Sequence, residues 1–287
     1  MFSAIYKTTF KNLFRSVIFW MMFVVFGFVV FELLTKGSHG YFSFEYNETI
    51  RDTDPRYVID YHQYIQRIYN IVQSTLMYYA MPLFTSVSVV IILNRDYGDN
   101  YYEIEKAAGV KPAKYIFGRL AALVTINYIV VVLLALAILH IWIYTRGGVP
   151  VLDLQTYIID STVRMIRLVS FYAMPALLFY IGFTYFIGSL FRSGVMASVC
   201  SIGYVIFYAV VNLMFRSRIA PWYFEYLSTS PKKLGHYLMF YDTEWFESTL
   251  KGNDTDLGKA AICFGALVGL ALLYSSIAYL RTRKRDR

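Results

Sequence analysis

A chain of 287 residues with 57% hydrophobic and only 16% charged residues cannot clothe a soluble globule, where about 25% charge is usual. Its charge is basic, 27 Lys and Arg against 19 Asp and Glu, for a formal net charge of +8 and a pI near 9.2. In a mostly bilayer-spanning chain that excess is explained by topology, so nucleic acid is set aside as a partner.

Taken in chain order, the first signal is amphipathic. Phe2, Ile5, Tyr6, Phe10, Leu13 and Phe14 recur at helical spacing, with Lys7, Lys11 and Arg15 on the other face. Residues 1–15 therefore read as an interfacial helix in the headgroup plane, bending near Arg15 and Ser16 into a first span, with a cytosolic extension of that span as the alternative. Six stretches then lack Asp, Glu, Lys and Arg altogether: 16–31, 68–94, 120–145, 168–191, 193–215 and 260–280. Five exceed the roughly 18 residues of a membrane-spanning helix, and the first becomes long enough with Glu32 at the headgroup boundary. The predicted fold class is an all-α integral membrane protein with six transmembrane helices over about 16–35, 74–94, 117–144, 168–191, 194–215 and 259–280.

Between the spans lie a cytoplasmic loop at 95–116 and outer regions at 36–73 and 216–258, with a basic tail at 282–287. Asp54 and Pro55 have the chemistry of a helix start in the first outer region. The second is dense in Trp, Tyr and Phe, as suits a membrane interface. Cys200 and Cys263 both fall within spans, so no outer disulfide framework is expected.

Basic residues orient the whole. The N-terminus, the 95–119 segment, Arg192 and the tail hold 14 Lys and Arg with 5 acids; the rest of the chain holds 13 basic and 14 acidic residues. One face thus carries +9 and the other −1. Lys and Arg are retained in the cytoplasm, which predicts a multi-pass protein of the cell membrane with both termini cytoplasmic.

The segment after the second span reads NRDYGDNYYEIEKAAGVKPAKYIFGRL from Asn94. Asn100 can cap a short helix with Glu103 reaching back, and Gly109 offers a left-handed stop ahead of Pro112. Two turns are marginal in water, so something must pack against them. Tyr101, Tyr102 and Ile104 among Asp99, Glu103 and Glu105 are the mixture of a compact protein contact; the same residues also suit a connector lying on the membrane.

Other motifs say less. Tyr-Ala-Met-Pro occurs twice, at Tyr79–Pro82 and Tyr172–Pro175, each proline removing a helix hydrogen bond. Gly265 with Gly269, and Gly194 with Ser198, make small faces for close helix packing, within one chain or between two. The nearest approach to a phosphate loop, GNDTDLGKA from Gly252, has one residue too many and ends in Ala260 instead of Ser or Thr. The four histidines lack the spacing of a metal site. No catalytic, cofactor-binding or metal residue is expected.

These features together resemble the permease subunits of ABC type-2 exporters: an interfacial N-terminal helix, six spans, the acidic DYGDNYYEIEKAAGV segment after span two, the GSLFRSG turn between spans four and five, and a long outer region before span six. The resemblance covers the chain by layout, with few positions by identity; the family often has a Glu-rich start followed by Gly-Thr where this chain has Asp96, Gly98 and Asp99. It implies that the segment is a coupling helix docking on a separate cytoplasmic ABC ATPase, with Asp96, Gly98, Asp99, Asn100, Tyr101, Tyr102, Glu103, Ile104 and Glu105 as the contact. It implies ATP and Mg on that partner, none on this chain, and a permease homodimer or pseudo-dimer in the bilayer. By the same analogy Tyr78, Tyr79, Pro82, Tyr204, Tyr208 and Asn212 border the translocation path of a hydrophobic or amphipathic substrate, such as a peptide. An ATP-independent channel or facilitator is the alternative expectation.

Overall fold

The computed structural model describes residues 2–36, 72, 76, 80–99, 101–146, 154–204 and 254–285. Among them there is no strand. The helices are α1 (Phe2–Phe14), α2 (Val17–Lys36), α3 (Met81–Gly98), α4 (Tyr101–Ala107), α5 (Pro112–Arg146), α6 (Leu154–Phe191), α7 (Gly194–Tyr204) and α8 (Asp254–Arg285). Most of both predicted outer regions and the far half of the predicted fifth span lie outside the described residues.

Long uncharged apolar runs have no alternative to helix in hydrocarbon, because each backbone polar group must then be satisfied within its own segment. Three described helices are long and apolar enough to cross a membrane: Pro112–Ile141 of α5, Ser161–Phe191 of α6 and Phe264–Arg283 of α8. A fourth follows if α1 and the first part of α2 form one bent span, their axes meeting at 58°. The described apolar run of α3, from Met81 to Leu93, is short of the roughly 20 residues needed alone. Six spans were expected; three or four are what the described residues carry.

The bend falls at Arg15 and Ser16. The Ser16 amide donates three residues back to the Leu13 carbonyl (3.0 Å), and the Trp20 indole Nε1 donates to the Phe14 carbonyl (2.7 Å), covering an acceptor that the end of α1 would otherwise leave open. Phe14, Phe19, Trp20, Phe23 and Phe84 stack around this corner at centroid distances of 4.8 to 5.9 Å. The face that α1 buries is rotated from the predicted stripe. Ile5, Thr9, Asn12 and Leu13 are buried, whereas Phe14 is exposed, because α1 packs lengthwise against α5 instead of only resting its aromatics in lipid.

Helix ends also differ from the sequence estimates. The third span was placed at 117, yet α5 starts at Pro112: proline is pre-set for the first helical position, and the Lys111 carbonyl takes the Tyr115 amide (3.1 Å). The fourth span was started at 168, yet α6 begins at Leu154 and continues through Pro175 for 38 residues. It is the hub of the bundle, with α3, α5 and α8 all against it. α6 ends on Arg192, whose φ of 52° is the left-handed position usually taken by glycine.

Between neighbours, pairs of small polar side chains bridge the apolar surfaces. The Ser88 hydroxyl donates to the Asn127 amide oxygen (3.2 Å) between α3 and α5, Tyr128 and Ser170 share a hydrogen bond (2.6 Å) between α5 and α6, and Thr184 and Ser201 do so (2.8 Å) between α6 and α7.

Candidate functional site

The chemistry of the molecule concentrates where α3 ends and α5 begins. Because α3 does not stop at residue 94 but continues to Gly98, Asp96 stays helical and buried, 3% exposed. One helix further on, Tyr115 and Arg119 stand four residues apart and so share a face of α5. Arg119 is the largest fully buried side chain among the described residues, 1% exposed. Its Nη2 lies 2.9 Å from Asp96 Oδ1 and donates also to the Tyr115 hydroxyl (3.1 Å), while the Tyr115 hydroxyl donates to the same Asp96 oxygen (2.6 Å). Nη1 donates to Thr9 Oγ1 on α1 (3.0 Å). One guanidinium therefore ties three helices together. The neighbouring Arg95 donates through Nη1 to the Asn12 amide oxygen, a second tie between α3 and α1.

The short helix α4 sits over this joint. Tyr101 faces the Arg119 guanidinium at 5.6 Å and Tyr115 at 5.0 Å, two cation–π contacts on one cation. Tyr102 meets the Tyr115 ring edge-on at 5.1 Å. The far end is closed by a Schellman turn: Gly109, at φ +80°, donates to the Lys106 carbonyl (2.9 Å), and Val110 donates to that of Glu105 (3.1 Å) while its own side chain is buried. Asn100, the expected cap at the near end, lies outside the described residues.

What α4 buries is therefore supplied by α5 beneath it, and no residue of α4 is itself fully buried. Its outward side shows Ile104, 60% exposed, with Asp99 exposed just before it; Glu103 is exposed as well and borders the cavity described below. Of the residues assigned to docking, Asp96 faces inward and is held by Arg119. Tyr101 and Tyr102 are half-buried against α5, and Glu105 is half-buried beside the turn. Gly98 is exposed at the end of α3.

A cavity of about 270 Å³ opens behind α4, where α3, α5, α6 and α8 reach the same end of the bundle; Asp96, Glu103, Tyr115, Tyr185, Arg192 and Thr282 are among its walls. Two buried atoms of the joint, Asp96 Oδ2 and Arg119 Nε, have no hydrogen-bond partner among the described residues.

The path candidates are less gathered. Pro82 is buried in α3. Tyr204 packs its ring on Phe179 (5.7 Å) and Phe183 (5.2 Å) of α6, an aromatic seam that Tyr274 of α8 joins. Tyr78, Tyr79, Tyr208 and Asn212 lie outside the described residues. The Tyr-Ala-Met-Pro copies differ in surroundings: Met81 is 1% exposed and Met174 42%. Residues 254–260 of the rejected phosphate-loop approach form the first turns of α8.

Sequence reasoning missed Thr9, Asn12, Tyr115 and Arg119. Arg119 was counted as a loop charge. The available signal was the Tyr115/Arg119 pair at i, i+4 directly after a proline helix start, with an acid at the end of the preceding helix. No protein-family model and no curated protein matches this chain.

Proposed function

We propose that the chain is the permease subunit of an ATP-driven exporter of the ABC type-2 kind, with six spans, both termini cytoplasmic, and a second permease and two ATPase subunits completing the assembly in the cell membrane. ATP and Mg would reside on the ATPase. The cargo would be a hydrophobic or amphipathic molecule, a peptide among the candidates. The observation that carries this reading is the mounting of α4: a two-turn helix with Ile104 on its outer side and an exposed Asp99 just before it, fixed at its back to α5 by Tyr101 over Arg119 and at its end by the Gly109 turn.

A foot that receives force needs both a contact face and a rigid base. Here the base is a buried ion pair shared by α3 and α5 and extended to α1 through Thr9, so a push on α4 reaches three helices at once. The exposed Asp99 at the start of α4, on the most basic face of the chain, selects a partner groove with basic residues.

The test is co-purification. Tagged protein extracted from its native membrane carries an ATP-binding-cassette subunit, and Asp99→Lys combined with Ile104→Lys removes that subunit while membrane insertion and thermal stability are kept. Undiminished association of the double variant overturns the docking face. Substrate movement down a gradient by the purified chain alone favours the channel instead.

A further inference from the structure

The cavity behind α4 has walls of both charges. Asp96 and Glu103 are carboxylates, Arg192 is a guanidinium, and Thr282, Tyr115 and Tyr185 bring hydroxyls. Neither Glu103 nor Arg192 enters an ion pair among the described residues. Asp96 uses Oδ1 for both Arg119 and Tyr115, and its Oδ2, buried behind the cavity surface, has no partner among the described residues. A buried oxygen left so costs about 1–3 kcal/mol and calls for a donor from outside the described residues.

The level of the cavity narrows what it can hold. The uncharged apolar runs stop at Asn94, at Arg119, at Phe191 and after Leu280, and Asp96, Tyr115, Arg192 and Thr282 each stand within a few residues of these stops. In a bilayer that is the headgroup plane. A plain anion would meet two carboxylates there, and a plain cation would meet Arg192. A zwitterion answers both. Arg192 is also held at φ 52°, a conformation that costs a non-glycine residue roughly 1–2 kcal/mol, in a turn where Gly194 stands only two residues away.

We propose that this cavity binds an aminoalkyl phosphate, its ammonium against Glu103 and its phosphodiester against Arg192 and Thr282. The volume, near the low end of small-molecule sites at about 300 Å³, suits a headgroup and excludes acyl chains. The ligand is either the head of an ethanolamine lipid reaching in from the bilayer or a water-borne ester of the same chemistry. This inference is independent of the exporter reading, since no ATPase enters it.

The experiment uses the purified full chain. Calorimetric titration with O-phosphoethanolamine and glycerophosphoethanolamine gives binding at least about tenfold tighter than methyl phosphate or ethylamine, each of which lacks one end of the zwitterion. Glu103→Gln and Arg192→Gln each weaken it about tenfold; both side chains are exposed and leave the Asp96–Arg119 pair intact. In nanodiscs, native mass spectrometry after partial delipidation shows phosphatidylethanolamine retained over phosphatidylcholine, a preference lost in both variants. Lipid retention without binding of the soluble esters assigns the site to a headgroup; binding of the soluble esters without lipid preference assigns it to a water-borne ester. Absence of both, or preferences unaltered in both variants, overturns the proposal.

Discussion

At the joint of α3 and α5 a buried carboxylate and a buried guanidinium meet at 2.9 Å, with a phenol and a threonine hydroxyl completing the contact. At the seam of α6 and α8 there is no charge: a Cβ on Gly182 would stand 3.1 Å from the Ala271 carbonyl oxygen and 3.3 Å from Ser275 Oγ, so the two backbones approach because a side chain is missing. One contact is directional and polar, buried at the end of the bundle. The other is a matter of shape, placed within the apolar stretch, where lipid competes equally for apolar side chains and small residues permit close packing. The comparison teaches that a polar joint is built from directional bonds that resist sliding and rotation, while a seam that holds a helix in place needs only fit.

The largest effect is expected from breaking the joint on one side. Arg119→Leu leaves Asp96 buried without its counter-charge, and removal of one partner of such a pair costs about 3–5 kcal/mol. Thermal unfolding in detergent should show this loss, and adding Asp96→Asn in the same chain should restore part of it, since the uncompensated charge is then gone. Equal stability of the single and double variants would mean that Arg119 acts by filling space. Because Arg119 also reaches Thr9, the single variant should expose the α1–α5 contact to proteolysis.

The seam is tested by adding what it lacks. Gly182→Val places branched carbons against the Ala271 backbone, which cannot rotate away, and overpacking of this kind costs about 1–3 kcal/mol. Gly265→Ala is the control: nothing lies within 4 Å of a Cβ there, and the residue is exposed, so the substitution should cost nothing and gain up to about 1 kcal/mol of helix propensity. If both substitutions behaved alike, fit would not be what holds α8.

The joint and the seam were unequally legible in the amino-acid sequence. Uncharged runs announced α5, α6 and α8 because hydrocarbon forces its residues into helix whatever their order, and the lysine face of α1 with Ser16 after it announced the bend. Gly109 could be read as a stop because its job is local, set by φ at one residue. Helix ends were read short, since α5 and α6 extend beyond their apolar runs into polar sequence. The Asp96–Arg119 pair was invisible for a different reason: it joins residues 23 apart in sequence across two helices, and only the angle at which α4 folds back brings them within reach. Gly182 gave no sign either, since a lone glycine in a span looks the same whether or not a backbone lies against it.

A finer division of the comparison comes from Ser88 and Asn127, a neutral polar contact between the same two helices that the charged joint binds. Both side chains are buried, and each also bonds the carbonyl four residues back in its own helix, Phe84 for Ser88 and Leu123 for Asn127. Such residues keep a partner when the interhelical bond is lost, which is why hydrogen bonds between membrane helices average only about 0.6 kcal/mol. Ser88→Ala should therefore cost several times less than Arg119→Leu, and a double-mutant cycle with Asn127→Ala should yield a coupling of about that size. A coupling as large as that of the ion pair would place the grip between α3 and α5 along their whole length; a small one leaves it at the end beneath α4, with Asp96 and Arg119.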